Sequence, residues 1–128
     1  MTHDRMSDLS TVAEAVFQRE HQKLRPLLQR EAQLLQQLAR LDTQLAEVKS
    51  AITPEDGYHV TGADVLWNSW EATTRRSLNT ELARLRSQKL AAMDNLREAF
   101  GRKQAIADLS LHLQERRRRR AQSISHKA

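Results

Sequence analysis

A seven-residue pattern of apolar positions runs through the first half of the chain. Two rows spaced by seven carry it, and nine of their eleven members are apolar: Phe17, Leu24, Glu31, Leu38, Leu45 and Ile52 in one, and Glu20, Leu27, Leu34, Leu41 and Val48 in the other. A repeat sustained over this many heptads is typical of a coiled coil. We therefore predict one long helix over residues 11–52, preceded by a lead-in at 1–10.

Two further leucines, Leu28 and Leu35, lie beside these rows and widen the apolar surface of the first predicted helix. One partner helix leaves part of such a wide surface uncovered, and uncovered apolar surface favours association. We therefore expect the protein to self-associate or to pair with a further helix.

The second half repeats the pattern with more polar interruptions. One row is Leu78, Leu85, Ala92, Ala99, Ile106 and Leu113, and the other is Leu82, Lys89, Leu96, Lys103 and Ser110. Lysines in a core row weaken packing and help to fix the register or the choice of partner. This pattern predicts a second helix over residues 63–115, followed by a basic C-terminal tail at 116–128.

Between the two patterns lies TPEDGYHVTGAD, where proline and glycine cluster, so the chain should reverse direction at 53–62. The chain has only 3 Gly, 2 Pro and 5 aromatic residues, a composition that favours long helices over a thick globular core. The predicted fold is all-α, a long antiparallel two-helix coiled-coil hairpin. Pro26 lacks an N–H, so it should kink the first helix unless the helix begins there.

The positive charge is concentrated at the C-terminus. The net charge is +5, but residues 1–115 sum to −1 and residues 116–128 contribute +6. The body of the protein is therefore close to neutral, and the excess comes from Arg116, Arg117, Arg118, Arg119, Arg120 and Lys127.

Residues that could support catalysis or bind a cofactor are scattered. Cysteine is absent, and the five histidines show no three- or four-residue spacing that would place two metal ligands on one helical face. No nucleophile, base and orienting acid stand at a recognisable spacing. We expect a non-enzymatic protein without cofactor or metal. Neither a signal peptide nor an apolar run of about 20 residues is visible, so we expect a cytoplasmic protein without membrane insertion.

The stretch LWNSW follows the predicted turn and places Trp67 and Trp70 three residues apart. A narrow hairpin can bury only part of each indole ring. One interpretation is that the rings staple the end of the hairpin against Ile52 and Val60. The other is a partner-binding hot spot, since half-covered tryptophans are favoured interface anchors.

The five consecutive arginines Arg116–Arg120 allow three interpretations. They can form a solvated helix end, where the helix dipole favours cations. They can bind phosphates, although no aromatic stacking platform or groove-reading fold accompanies them, which argues against nucleic acid. They can also dock on an acidic protein surface.

Most of the chain resembles the FliJ/YscO family, the stalk proteins of flagellar and type III secretion export ATPases. The likeness lies in two long Arg/Lys/Glu/Ala/Leu-rich helices, and it is closest in AFGRKQAI, residues 99–106, followed by the arginine-rich end. The resemblance implies a coiled-coil stalk that inserts into a hexameric export ATPase, promotes its activity and links it to an export gate protein. It also implies a position at the base of a membrane export apparatus.

Two other functions remain open from the residues. Hairpins that enter the secondary channel of RNA polymerase carry acidic residues at the tip, where this chain has Glu55 and Asp56. A nucleic-acid-associated helical scaffold is the other alternative. If the stalk function holds, Arg116–Arg120 would meet acidic loops of the ring, while Trp67 and Trp70 lie at the opposite end.

Overall fold

Two long helices account for the part of the chain that the computed structural model describes, residues 2–51 and 62–127, with side chains over 5–51 and 62–125. Helix α1 spans Thr2–Ala51 and helix α2 spans Ala63–Lys127. The helices pack against each other, and these ranges contain no strand. The predicted all-α helical hairpin is confirmed.

Both helices extend further than the sequence pattern predicted. Residues 2–10, predicted as a lead-in, belong to α1, and residues 116–127, predicted as a tail, belong to α2. The reason at the N-terminus is that Met6 and Ala13 continue the row of Glu20 at intervals of seven, and both are buried. The row was hard to recognise there because the companion position, Ser10, is polar and exposed.

The predicted turn at 53–62 lies outside the described residues except for Gly62, which directly precedes α2. Its φ of +72° falls in the left-handed region, which glycine adopts without steric cost. The Leu66 N–H donates to the Gly62 carbonyl at 3.2 Å, closing the first turn of α2. The predicted start of the second helix at residue 63 therefore coincides with the observed one.

The contacts divide the chain into two compact units. The first unit comprises Met1–Leu24 with Ala91–Ala128, and the second comprises Arg25–Leu90. Pro26 lies just inside the second unit, and α1 neither begins nor ends at this residue. A proline there removes one hydrogen bond to the carbonyl four residues earlier, but the helical conformation continues on both sides.

The second unit holds the best-covered apolar cluster. Leu34 of α1 is 0% exposed and packs with the buried Leu82 and Leu85 of α2, and the partly buried Leu27, Leu38 and Leu78 complete the cluster. All six belong to the predicted heptad rows. Arg30 pairs with Glu81 and Asp42 with Arg75, so the two helix segments run antiparallel.

The first unit is held by smaller residues and an aromatic pair. Ala13 of α1 and Ala99 of α2 are buried. The rings of Phe17 and Phe100 lie with centroids 6.0 Å apart at 51°, a tilted geometry that aromatic pairs favour. Met6, near the start of α1, lines a small gap together with Leu113 and Arg117 of α2, so this unit is antiparallel too.

Candidate functional site

The five arginines encircle the C-terminal part of α2. Successive residues of an α-helix are rotated by about 100°, so five consecutive side chains point to all sides of the axis. Every one of Arg116–Arg120 is exposed. The run is therefore a cationic collar on a regular helix, and we call Arg116–Arg120 the arginine collar. Such a collar differs from a one-sided basic patch because a partner must surround it, or lie in a deep groove, to contact all five.

One member of the collar, Arg117, lies beside the packed part of the first unit. We call the heptad rows of the two helices the inner rows. Arg117 continues one inner row of α2, seven residues after Ser110, and lines the gap beside Met6 and Leu113. The aliphatic stem of an arginine can cover apolar side chains while its guanidinium stays in water. The collar is thus part of the continuous helix α2, with Arg117 on the side that faces α1.

No described carboxylate pairs with the collar. The nearest acid in sequence, Glu115, lies 3.9 Å from the imidazole of His112, and no salt bridge joins any of the five guanidinium groups to a described side chain. Each guanidinium offers five N–H donors in a planar fork that matches a carboxylate or a phosphate. The collar can therefore bind anionic groups without first breaking internal ion pairs.

The two tryptophans lie in the first turns of α2, in the second unit. Trp67 is half-buried, whereas Trp70 is 52% exposed, and the neighbouring Val65 and Leu66 are more exposed still. Ile52 and Val60, the residues that the staple interpretation requires, lie outside the described residues. The exposed ring of Trp70 next to Leu66 forms a small apolar surface of the kind that partner proteins use.

Polar residues inside the heptad rows meet each other across the helices. Lys89 Nζ donates to Glu31 Oε1 at 3.0 Å, and Arg86 Nε donates to Glu31 Oε2 at 3.3 Å. The hydrogen bond from Lys89 is the main cause that lowers the pKa of Glu31, with a smaller contribution from Arg86. Lys103, the other lysine in these rows, pairs with Glu14 at 2.6 Å. Each of the two lysines therefore has a carboxylate partner on α1.

Lys103 makes two contacts that explain its place in an inner row. Its ammonium lies 2.6 Å from Glu14 Oε2 and 4.7 Å from the centre of the Phe17 ring, within the range of a cation–π interaction. The hydrogen bond from Lys103 is the largest cause that lowers the pKa of Glu14, followed by the one from Gln18. Sequence analysis missed this arrangement because it requires the register of the two helices.

Glu20 is the one acidic residue buried in an inner row among the described side chains. Its Oε1 faces Lys23 at 3.4 Å and Arg19 at 3.5 Å, both from its own helix, while its Oε2 has no hydrogen-bond partner. A buried acceptor without a donor costs free energy. Glu20 therefore destabilises the packing of the first unit at this position of the row.

The described side chains bring together no arrangement for catalysis or metal binding. No group of three His, Asp or Glu residues in these ranges stands close enough to hold a metal ion. Neither described helix has a stretch apolar enough to cross a bilayer. Glu55 and Asp56, the acidic residues of the RNA polymerase alternative, lie outside the described residues.

Comparison with known proteins adds no relative. The chain matches no protein-family model, no curated protein and no solved structure.

Proposed function

We propose that this protein is a non-enzymatic coiled-coil stalk that binds a hexameric protein-export ATPase of the flagellar or type III class, promotes its activity and links it to the export gate. The class of ATPase comes from the resemblance to the FliJ/YscO family. The observation that carries the proposal is the arginine collar, which presents exposed cations in several directions around the C-terminal part of α2. A ring of subunits is a partner that can contact several of those directions at once.

Three properties of the collar support a ring-shaped protein partner. The collar is helical, so its five side chains leave an ordered backbone at fixed angular intervals. It has no internal ion pair with a described side chain to break, and Arg117 lines the same small gap as Met6 and Leu113. The rest of the chain has a net charge of −1, so the excess positive charge that attracts anions is concentrated in the C-terminal part of α2.

Nucleic acid is the competing partner for a cationic helix. A protein that binds nucleic acid typically spreads basic groups along a face and adds groove-fitting or stacking residues. The collar instead spreads its charge around the axis. Both kinds of complex weaken with salt, since screening acts over about 10 Å at 0.1 M ionic strength, so salt dependence does not separate them.

The test compares two variants that lose the same charge at different places. The first replaces the five collar arginines with Gln. The matched control replaces five exposed arginines of the body that make no described salt bridge: Arg5, Arg40, Arg76, Arg84 and Arg102. ATP hydrolysis by the cognate export ATPase and affinity for mixed RNA and DNA are measured at matched ionic strength, with helicity followed by circular dichroism.

We expect the collar variant to lose stimulation of the ATPase while its helicity stays intact, and the control to stimulate like the unmodified protein. Equal losses in both variants would mean that net charge alone matters. Unchanged stimulation in the collar variant, together with loss of tight nucleic-acid binding, would replace the stalk function by the nucleic-acid alternative.

A further inference from the structure

Helix α1 carries a second heptad row on its outer side, within the second unit. Its members alternate in steps of three and four residues, and all are exposed: Arg25, Leu28, Ala32, Leu35, Ala39 and Asp42. We call these six residues the outer row. Leu28 is 42% exposed and Leu35 is 43% exposed, so α2 leaves both leucines largely uncovered.

The outer row is displaced around α1 from the row that packs on α2. At 100° per residue, the centre of the outer row lies about 100° from the centre of the inner rows. A helix with two such rows can pack against two neighbours at the same time, as helices do in bundles. In the second unit α2 is one neighbour, and the exposed outer row shows that no described helix occupies the second position.

The outer row of one copy is complementary in size and charge to the outer row of a second copy that runs in the opposite direction. In an antiparallel pairing of two copies, Arg25 faces Asp42 of the second copy, Leu28 faces its Ala39, and Ala32 faces its Leu35. Each large residue then meets a small one, which lets two helix surfaces interdigitate. Each end of the contact joins a guanidinium to a carboxylate.

The ionic partners are available for this pairing. Arg25 makes no salt bridge with any described side chain. Asp42 receives Arg75 on Oδ1 at 2.7 Å, its side chain is 65% exposed, and its second oxygen remains open to solvent. In a parallel pairing Arg25 would face Arg25, and the leucines would face each other, so both charge and size favour the antiparallel arrangement.

Helix α2 places a small side chain at the level of the proposed two-fold axis. Arg86 is level with Glu31 and Arg75 with Asp42, so Ala83 is level with the midpoint of the outer row. A two-fold axis through that midpoint brings α2 alongside its copy with a small, exposed side chain at the axis.

We propose that the outer row is the interface of a homodimer, in which two copies of α1 pack antiparallel about a two-fold axis between Ala32 and Leu35. The interface is isologous, because each residue meets its counterpart twice. It extends over about 26 Å of helix at 1.5 Å per residue. A contact of six residues a side is smaller than the usual specific interface, so the dimer is weak and forms at high protein concentration. The proposal does not rest on the stalk function.

Sedimentation equilibrium over a range of concentrations tests the interface. We expect Leu35→Glu to raise the dimer dissociation constant by about tenfold or more, since it places two carboxylates in apolar layers. The matched control is Gln37→Glu, which adds the same charge to the opposite side of α1, where Gln37 is exposed. Circular dichroism checks that both variants keep the helical content of the monomer.

Cysteine cross-linking tests the direction of pairing, and the natural chain contains no cysteine to interfere. A mixture of Leu28→Cys and Ala39→Cys chains should form a mixed disulfide. Neither variant should cross-link to itself, because residues 28 and 28 of two copies would be offset by about 16 Å along the axis, beyond the reach of a disulfide.

Three outcomes would overturn the proposal: a chain that stays monomeric at every concentration, self-cross-linking of either single variant, or an equal effect of Gln37→Glu. If the protein is monomeric and Leu35→Glu instead weakens binding to the export gate protein, the outer row serves a different partner and the homodimer is rejected.

Discussion

Lys89 of α2 donates a hydrogen bond to Glu31 of α1 at 3.0 Å, joining the polar residues that interrupt the heptad rows of the two helices. A heptad pattern alone allows two helices to slide by seven residues and still match apolar layers. Such a slide would place Glu31 and Lys89 opposite leucines of the other helix. The pair therefore selects one register, at the expense of the packing that two leucines would give.

The first prediction concerns this pair. Replacing both residues, Glu31→Leu with Lys89→Leu, should raise the thermal unfolding midpoint, because well-packed apolar residues often outperform a partly buried ion pair. The same variant should lose register specificity and show broader or additional association states in sedimentation. Either single substitution should lower the midpoint, because Glu31→Leu removes the carboxylate that pairs with Lys89 and Lys89→Leu leaves Glu31 with the longer contact to Arg86 alone. A double variant less stable than both singles would contradict this account.

The second prediction concerns the apolar cluster. Leu34→Ala should cost about 2–4 kcal/mol of unfolding free energy, because Leu34 is fully buried between Leu82 and Leu85. The matched control is Leu66→Ala, since Leu66 is 74% exposed and its truncation should cost less than about 0.5 kcal/mol. Chemical denaturation followed by circular dichroism measures both. Similar losses in the two variants would show that the cluster does not dominate stability.

The third prediction is a loss of stability in acid. Hydrogen bonds from Lys103 and Lys89 lower the pKa values of Glu14 and Glu31 below those of the unfolded chain. A carboxyl with a lowered folded pKa contributes stability that is present above its unfolded pKa, about 4.3, and is lost as the pH falls through the folded value. The unfolding free energy should therefore decrease below about pH 4.

Variants separate this effect from a general effect of acid. Combining Glu14→Gln with Glu31→Gln should lower stability at pH 7 and flatten the acid-dependent decrease. Glu98→Gln is the control, because Glu98 is exposed and makes no described salt bridge. An undiminished acid transition in the double variant would assign the pH dependence to other carboxyl groups.

The inner rows were predictable from sequence because apolar periodicity reports which side of a helix is covered. Leu34, Leu41, Leu82 and Leu85 are buried as the rows required. Helix ends were less predictable. Residues 2–10 carry few apolar side chains, and Met6, which is buried, is the one apolar residue among them that continues the heptad rows.

The candidate site was predictable in composition but not in geometry. The five consecutive arginines are visible in the sequence. Their arrangement around a helix axis depends on the continuation of α2 through residue 120, which the heptad pattern did not predict. The contacts of Lys103 with Glu14 and Phe17 required the register, which spacing by seven leaves open. The outer row could have been found by extending the observation of Leu28 and Leu35 to Ala32 and Ala39.

The fourth prediction concerns the tryptophans. Trp70 is more than half exposed, so Trp70→Ala should change the unfolding free energy by less than about 1 kcal/mol. If Trp70 is a hot spot for the export gate protein, the same substitution should weaken that complex by about tenfold or more, equivalent to 1.4 kcal/mol. Leu66→Ala, in the same apolar surface, should weaken the complex less, because its side chain is smaller than that of Trp70.

Fluorescence gives an independent measurement of the same site. In a Trp67→Phe chain, emission comes from Trp70 alone, and it should be quenched readily by iodide in the free protein because the ring is exposed. Binding of the gate protein should shift this emission to shorter wavelength and protect it from quenching, as water leaves the indole. A Trp70→Phe chain, which reports on the half-buried Trp67, should show weaker quenching and a smaller shift. Binding that leaves the Trp70 emission and its quenching unchanged would place the gate contact elsewhere and leave the hairpin staple as the role of the pair.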